Sequence, residues 1–171
     1  TAYRRQRQMC IRDRYNKYGF DFNLVDTAGI RKKSKINNDL EFYSVVRSIK
    51  SIEKSDVSLL MIDATRSFDS QIKNIFWLAH RRNKGVVILV NKWDLVDKNN
   101  ISTKDYEKKI KLEIEPFVDV PIIFISTLKK QRIFKALELA IKVYENRSRK
   151  IKTSKLNDDL LEIISKNPPP S

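Results

Sequence analysis

The chain has 171 residues, 41% of them hydrophobic, and a formal net charge of +14. This length suits one globular domain with a short appendage, and the charge favours phosphate-bearing partners such as nucleic acid. No apolar run approaches the roughly 20 residues that span a bilayer, and the basic N-terminus lacks the apolar stretch of a signal peptide, so we expect a cytoplasmic protein without membrane contact. One cysteine, Cys10, and one histidine, His80, exclude an intramolecular disulfide and a cysteine- or histidine-based metal cluster.

The first 14 residues, "TAYRRQRQMCIRDR", differ in composition from the rest of the chain. They contain five Arg and no Lys, whereas the other 157 residues contain eight Arg and 22 Lys. This contrast predicts a non-native, adapter-like segment over residues 1–14, which we exclude from fold prediction. Without its five Arg and one Asp the net charge is +10. An AT-biased genome also produces Lys-rich proteins, so the charge alone does not establish RNA contact.

From Phe20 onward, short apolar segments alternate with helical periods. We predict four strands, at 20–25, 57–62, 86–90 and 121–125. We predict four helices, at 40–52, 70–82, 103–114 and 133–146. The last three strands are near-continuous apolar runs, which is typical of strands buried on both faces of a parallel sheet. The alternation predicts a doubly wound α/β fold, with a mainly parallel sheet, helices on both faces and a ligand at the carboxyl ends of the strands.

The composition changes after Tyr144. Residues 145–155, "ENRSRKIKTSK", form a basic polar linker, and a short helical pattern follows at 156–166. Three prolines then end that helix. Residues from about 151 onward are therefore predicted to begin another unit.

Polar residues follow three of the predicted strands, where the fold places a ligand. In the first motif, "DTAG", Asp26 ends a strand and Gly29 lies in the turn. A carboxylate there can hold Mg²⁺ through water, and a glycine lets its backbone N–H approach a terminal phosphate. Asp and Gly are also common turn residues, so these four residues taken alone favour a simple turn.

The second motif, Asn91-Lys92-Trp93-Asp94, follows the apolar strand "VVILV". A carboxylate such as Asp94 can accept two parallel hydrogen bonds from the ring N–H and the amino group of guanine, where adenine presents an acceptor. Asn91 can bind the base or join neighbouring loops, and the aliphatic stem of Lys92 can cover one face of a planar ring. The position at the end of a buried strand favours base recognition over a solvated turn.

The third motif is Ser126-Thr127, in "PIIFISTLKK". The backbone N–H groups of both residues can reach a base carbonyl. A Ser-Thr pair after a strand also commonly caps a helix, and both interpretations stay open.

The three motifs, in this order on alternating strands, resemble the third, fourth and fifth signature motifs of translation-factor-type GTPases. The strings "DTAGIRKK", "NKWDLV", "YENRSRKI" and "NPPP" are similar to the second GTPase domain of the Der (EngA) family of bacterial ribosome-assembly GTPases, over about residues 15–170. The resemblance implies GTP and Mg²⁺ as cofactors. It also implies GTP-binding residues at Asp26, Thr27, Ala28, Gly29, Ile30, Asn91, Lys92, Trp93, Asp94, Ser126 and Thr127. Among these, Asp26 would hold the Mg²⁺ through water.

The resemblance leaves two functional elements without a counterpart in the printed sequence. The chain has glycine only at positions 19, 29 and 85, so it contains no G-x-x-x-x-G-K-[ST] phosphate loop. Ile30 stands where many small GTPases carry the glutamine that orients water, and no catalytic residue is identifiable. We therefore expect an incomplete P-loop GTPase fold, with a partial GTPase domain at 15–150 and the start of a truncated KH-like domain at 151–171.

The functional expectation is a GTP-binding fragment of a GTPase of ribosome biogenesis. Its full-length form would hydrolyse GTP, act in large-subunit assembly and contact the large ribosomal subunit or its rRNA, whereas the fragment itself would be inactive. An alternative is a non-catalytic RNA- or ribosome-binding module with a GTPase-like sheet, which the basic run at 147–155 supports. An α/β domain that binds some other ligand is a third possibility, which the guanine-reading motif disfavours.

Overall fold

The computed structural model describes residues 12–17, 19–26, 49–66, 68–97 and 101–166. Within these ranges the elements, in chain order, are β1 (Arg12–Lys17), β2 (Phe20–Val25), β3 (Val57–Asp63), α1 (Ser70–Arg81), β4 (Gly85–Asn91), α2 (Thr103–Glu113), β5 (Ile122–Phe124), α3 (Ile133–Ser148) and α4 (Thr153–Lys166). A helical segment at 49–54 precedes β3, and a 3₁₀ turn at Trp93–Leu95 follows β4. The predicted helices at 70–82, 103–114 and 133–146 are confirmed within two residues at each end.

A three-stranded parallel sheet, in the order β3-β4-β5, forms the centre of the described fold. Its register pairs Asp63 with Asn91 and Val90 with Phe124, so the three strands end at the same edge. The strand β4 lies in the middle, and its residues from Val86 to Val90 are all buried. The predicted parallel sheet of apolar strands is therefore confirmed for these three segments.

Helices cover both faces of this sheet. On one face Val86, Ile88 and Val90 pack with buried residues of α1 and α2, among them Phe76 and Ile110. On the other face the alternate β4 residues, Val87 and Leu89, pack with β5 and with Ala136 of α3. Because successive side chains of a strand point to opposite faces, a strand buried on both faces must be apolar at every position.

Two helices begin at side-chain caps that fix where the chain turns away from the sheet. The carboxylate of Asp69 accepts hydrogen bonds from Gln71 N and Ile72 N at 3.0 Å each, which satisfies two free N–H groups at the start of α1. The hydroxyl of Ser102 accepts from Asp105 N at 3.2 Å at the start of α2. Their helices are joined by an ion pair between Lys73 and Glu113.

The strands β1 and β2 form a separate two-stranded antiparallel sheet. Phe20–Val25 is a strand, as predicted, but within the described residues it does not pair with the parallel sheet, contrary to our expectation that Asp26 ends a partner strand of that sheet. Its sequence, "FDFNLV", alternates apolar and polar residues instead of forming a continuous apolar run, and that pattern suits an antiparallel ribbon with one exposed face. Residues 12–14, at the end of the predicted foreign segment, form the first half of β1.

The helix α4 is amphipathic but exposed. Every described side chain of Thr153–Lys166 is exposed, including apolar ones such as Leu161 and Ile163. Its position agrees with the predicted helical pattern at 156–166, whereas its membership of a further domain stays a prediction. Across the described part of the chain, no helix combines the length and the hydrophobicity that a membrane crossing needs.

We predict that Ile88→Ala lowers the free energy of unfolding by about 3 kcal/mol, because it removes a fully buried side chain from the middle of β4 and leaves a cavity. The matched variant Ile163→Ala truncates an isoleucine of α4 that is 57% exposed and should change stability by less than about 1 kcal/mol. Urea unfolding monitored by circular dichroism measures both. Equal losses in the two variants would contradict the burial of β4 on both faces.

Candidate functional site at the strand ends

Backbone hydrogen bonds continue beyond the last paired residues of the parallel sheet. Ala64 N donates to Asn91 O at 2.9 Å, and Ile125 N donates to Val90 O at 2.8 Å. Trp93 N in turn donates to Ile125 O at 3.2 Å. These bonds hold the segments that follow β3, β4 and β5 side by side, so the second and third sequence motifs lie together as predicted.

The side chain of Asn91 joins the segments after β4 and β5. Its amide oxygen accepts hydrogen bonds from Lys92 N at 2.8 Å, from Thr127 N at 3.1 Å and from Thr127 Oγ1 at 3.3 Å. Its amide nitrogen lies 3.7 Å from Met61 Sδ on β3. Of the two roles that the sequence left open for Asn91, the described structure shows the joining of neighbouring loops.

Lys92 has an unusual backbone and a fixed side chain. Its φ of 61° and ψ of 29° lie in the left-handed region, which is uncommon for a residue other than glycine. Its Nζ donates to Asp63 Oδ2 at 2.7 Å, across the β3-β4 pair. This ion pair, together with hydrogen bonds from Thr65, holds the pKa of Asp63 well below its ordinary range.

Asp94 carries an ionised carboxylate in a nearly buried position. Its side chain is only 6% exposed, and Lys129 Nζ lies 3.9 Å from Oδ2. The pKa of Asp94 is lowered mainly by a hydrogen bond from the hydroxyl of Ser126, which outweighs the opposing effect of burial. The site therefore keeps a charged acceptor at the end of β4 near neutral pH.

The side chain of Trp93 belongs to the core. It packs against Phe124 with ring centroids 4.5 Å apart and against Tyr106 at 5.5 Å in an edge-to-face arrangement. Tyr106 OH then donates weakly to Ala64 O and Arg66 O, at 3.4 and 3.3 Å. Trp93 thus anchors the 3₁₀ turn that carries Asp94.

Ser126 and Thr127 use their backbone N–H groups within the protein. Ser126 N donates to Gln131 O at 3.3 Å, and Thr127 N donates to Asn91 Oδ1. The hydroxyl of Ser126 also accepts from Lys129 N at 3.1 Å, which closes the turn after β5. A base carbonyl at this position would therefore share the Thr127 N–H with Asn91.

The first sequence motif is only partly described. Asp26 is exposed and follows β2, in the antiparallel sheet. Thr27, Ala28, Gly29 and Ile30 lie outside the described residues. Among the residues that are described, no three histidine, cysteine, aspartate or glutamate side chains form a metal-binding group.

One site residue, Asp63, is absent from the sequence prediction. It lies at the same sheet edge as Asn91 and contacts Lys92 directly. The sequence contained a signal for it, since Asp63 comes directly after an apolar run, as Asn91 does.

The sequence of the chain matches one protein-family model over residues 7–164. That model describes the elongation factor Tu GTP-binding domain. The chain belongs to this family. The match includes residues 7–14, which belong to the segment predicted to be non-native.

Curated relatives give the same assignment. The chain is 64% identical to GTPase Der of Christiangramia forsetii and 60% identical to GTPase Der of Flavobacterium psychrophilum, each over 161 residues. Both alignments cover 94% of this chain but only 37% of the relative. The chain is therefore a homologue of GTPase Der that spans little more than a third of the length of these relatives, and the predicted resemblance is confirmed.

Solved structures of the GTPase Era share the fold. One is Era in complex with MgGDPNP and part of 16S ribosomal RNA, with a TM-score of 0.63 and 27% identity over 80% of this chain and 44% of that chain. Another is a variant Era of Aquifex aeolicus bound to GDP and AlF4⁻, with a TM-score of 0.64 and 27% identity over 79% of this chain and 44% of that chain. The predicted α/β fold of P-loop GTPases is thereby confirmed.

We predict that Ser126→Ala raises the pKa of Asp94, because the carboxylate loses its main hydrogen-bond donor while it stays nearly buried. An NMR pH titration of the Asp94 carboxyl carbon measures this change. Thr127→Val is the matched control, since the Thr127 hydroxyl bonds to Asn91 instead, and it should leave the Asp94 titration unchanged.

Ser126→Ala should also alter how the stability of the fold depends on pH. A carboxyl group whose pKa is lower in the folded chain stabilises the fold above its unfolded pKa, and this contribution is lost as the pH falls through the folded pKa. In Ser126→Ala this contribution should therefore be smaller, and its loss should be complete at a higher pH than in the parent chain. An unchanged Asp94 titration would show that the hydroxyl does not determine its charge.

Proposed function

We propose that this chain is the guanine-nucleotide-binding part of a cytoplasmic GTPase that acts in ribosome biogenesis, in assembly of the large subunit. The observation that carries the proposal is Asp94, a nearly buried carboxylate kept ionised by Ser126 at the carboxyl edge of a parallel sheet. Ligands of open α/β sheets bind at this edge. The family of GTP-binding domains to which the chain belongs supports the same assignment.

Base recognition depends on the acceptors that Asp94 offers. An ionised carboxylate accepts at two oxygens and can receive parallel hydrogen bonds from the ring N–H and amino group of guanine. Adenine has no such pair of donors and leaves the carboxylate unpaired in a nearly buried site, which is costly. Asp94 is therefore the specificity residue of the proposed site.

The other site residues assist in different ways. Asn91 holds the turn after β5 in place, and Thr127 N–H is the donor that a base carbonyl shares with it. Lys92 covers one face of the base with its aliphatic stem. Trp93 contributes by packing the turn into the core, and Ser126 by keeping Asp94 charged.

The phosphate and Mg²⁺ end of the proposed site rests on Asp26 and on residues 27–30. Mg²⁺ is usually bound in proteins by one or two carboxylates together with waters and substrate phosphates. Asp26 is an exposed carboxylate at the end of a strand, and this donor chemistry fits a water-mediated contact with the metal. The bound Mg²⁺ would neutralise phosphate charge, while the backbone near Gly29 would approach the terminal phosphate.

The whole-protein role is proposed from the relatives. The relatives are named GTPase Der, that is, for GTP hydrolysis. We propose the same activity for the full-length protein that contains this domain. Era was solved with part of 16S ribosomal RNA, which supports a ribosomal RNA partner here. We assign residues 15–150 to the GTPase domain and residues 151–171 to the start of a KH-like domain.

A second candidate function is a non-catalytic RNA-binding module on a GTPase-like sheet. The observation that favours it is the exposed basic run at 147–155, which extends from the end of α3 into the start of α4. Clustered exposed Lys and Arg bind phosphate backbones without reading sequence. In this case the charge state of Asp94 would have no effect on binding.

We predict that Asp94→Asn reverses the preference between guanosine and xanthosine monophosphates by about tenfold or more, because xanthine offers a carbonyl to the asparagine amide where guanine offers an amino group. NMR titrations of the chain with each nucleotide measure both affinities. Asp119→Asn alters an exposed carboxylate before β5 and is the matched control. An RNA-binding module would instead show unchanged RNA affinity and no nucleotide preference in either variant.

We also predict that this 171-residue chain binds GTP more weakly than the micromolar range, because its sequence contains no phosphate loop to contact the β- and γ-phosphates. Titration with a fluorescent GTP analogue in the presence of Mg²⁺ measures this affinity. The guanosine monophosphate titration is the comparison, and the two affinities should be similar. Micromolar or tighter GTP binding would contradict the prediction.

A further inference from the structure

Asp63 lies at the end of β3, directly beside the second sequence motif. It is the register partner of Asn91, so its side chain projects from the same sheet edge as the proposed guanine site. Its Oδ2 accepts a hydrogen bond from Lys92 Nζ at 2.7 Å. The proposed contacts with the base do not use this carboxylate.

Asp63 is itself held in one orientation. Its Oδ1 accepts from Thr65 N at 3.0 Å and from Thr65 Oγ1 at 2.7 Å. Arg66 Nε lies 3.9 Å from Oδ2, which is beyond a hydrogen bond. Because the turn after β3 fixes one carboxylate oxygen, the other is directed at Lys92.

Lys92 is consequently fixed at both ends. Its backbone N–H donates to Asn91 Oδ1, and its ammonium group is held by Asp63. The side chain of Asp63 is 21% exposed, whereas that of Lys92 is 50% exposed, so the carboxylate is the more firmly embedded partner. A free lysine side chain would lose considerable rotamer entropy on packing against a ligand, and an already ordered one loses less.

We propose that Asp63 is a positioning residue of the guanine site, which holds Lys92 so that its aliphatic stem forms a preformed surface for the planar face of the base. The inference rests on the proposed function, because it assigns a role within the same site. Asp63 acts through Lys92 and does not contact the nucleotide. It therefore contributes to affinity for the base, while Asp94 determines which base is chosen.

The test uses guanosine monophosphate and adenosine monophosphate at millimolar concentrations with the 171-residue chain. Binding is followed by the backbone amide NMR shifts of Lys92, Asp94 and Thr127. Asp63→Asn should weaken guanosine monophosphate binding about threefold, as expected for loss of one partly exposed ion pair that orders a side chain. The preference for guanosine over adenosine monophosphate should stay unchanged.

Asp56→Asn is the matched control. Asp56 lies just before β3, at the opposite end of the strand, and its Oδ1 accepts from Arg147 Nη1 at 3.0 Å. The substitution removes the charge of an ion pair with α3 at the opposite end of β3, away from the site. It should leave both nucleotide affinities unchanged.

A double substitution separates positioning from a purely structural role. Lys92→Met keeps an unbranched side chain but removes the ammonium group, so it should weaken guanosine monophosphate binding by a similar factor. In the Lys92→Met background, Asp63→Asn should then have no further effect. A strand-end carboxylate that merely stabilised the fold would lower affinity equally in both backgrounds, which would overturn the inference.

The outcomes also distinguish the two proposals. If the parent chain shows no preference for guanosine monophosphate, the proposed function fails and the role of Asp63 fails with it. If the parent chain shows that preference but Asp63→Asn and Lys92→Met both bind as tightly as the parent, the proposed function stands and the positioning role is overturned. Lys92 is half exposed, so Lys92→Met should fold even if Asp63→Asn proves unstable, and parent-like binding by Lys92→Met would then overturn the positioning role.

Discussion

The amide oxygen of Asn91 is the acceptor on which the arrangement of the site depends. It receives donors from Lys92 N, Thr127 N and Thr127 Oγ1, and so it connects the segment after β4 with the segment after β5. Neither segment continues as a strand. Without a shared acceptor, the backbone N–H groups of each segment would need separate hydrogen-bond partners. Asn91 can serve in this way because β4 is buried on both faces and holds it in place.

The carboxylates of Asp63 and Asp94 both lie at this edge, and their surroundings leave them different capacities to accept further hydrogen bonds. Asp63 accepts from Thr65 N, Thr65 Oγ1 and Lys92 Nζ, which occupy most of the acceptor positions of a carboxylate. Asp94 is nearly buried and accepts from the Ser126 hydroxyl and from its own backbone N–H, while Lys129 stays at 3.9 Å. Acceptor capacity for the proposed contact with a base therefore remains at Asp94, whereas most of that of Asp63 is used within the protein.

Much of the central fold was predictable because its strands carry a strong signal. A strand such as β4, with five consecutive buried apolar residues, has few alternatives to the middle of a parallel sheet, and the helices around it follow from their apolar spacing. The position of the site was predictable for the same reason, since parallel strands end at one edge. Asn91, Asp94 and Ser126 could therefore be assigned to one site before their contacts were known.

The remaining features depend on register and on side-chain direction, which local sequence does not encode. Asp63 lies opposite Asn91 only in the observed register of β3 and β4. A shift of one residue would direct the Asp63 side chain to the other face of the sheet. Trp93 lies inside the motif proposed to bind the base, yet the turn that follows the left-handed Lys92 directs its ring into the core. The left-handed backbone at Lys92 thus explains both results: it sends Trp93 inward as an anchor and leaves Lys92 outside, within reach of Asp63.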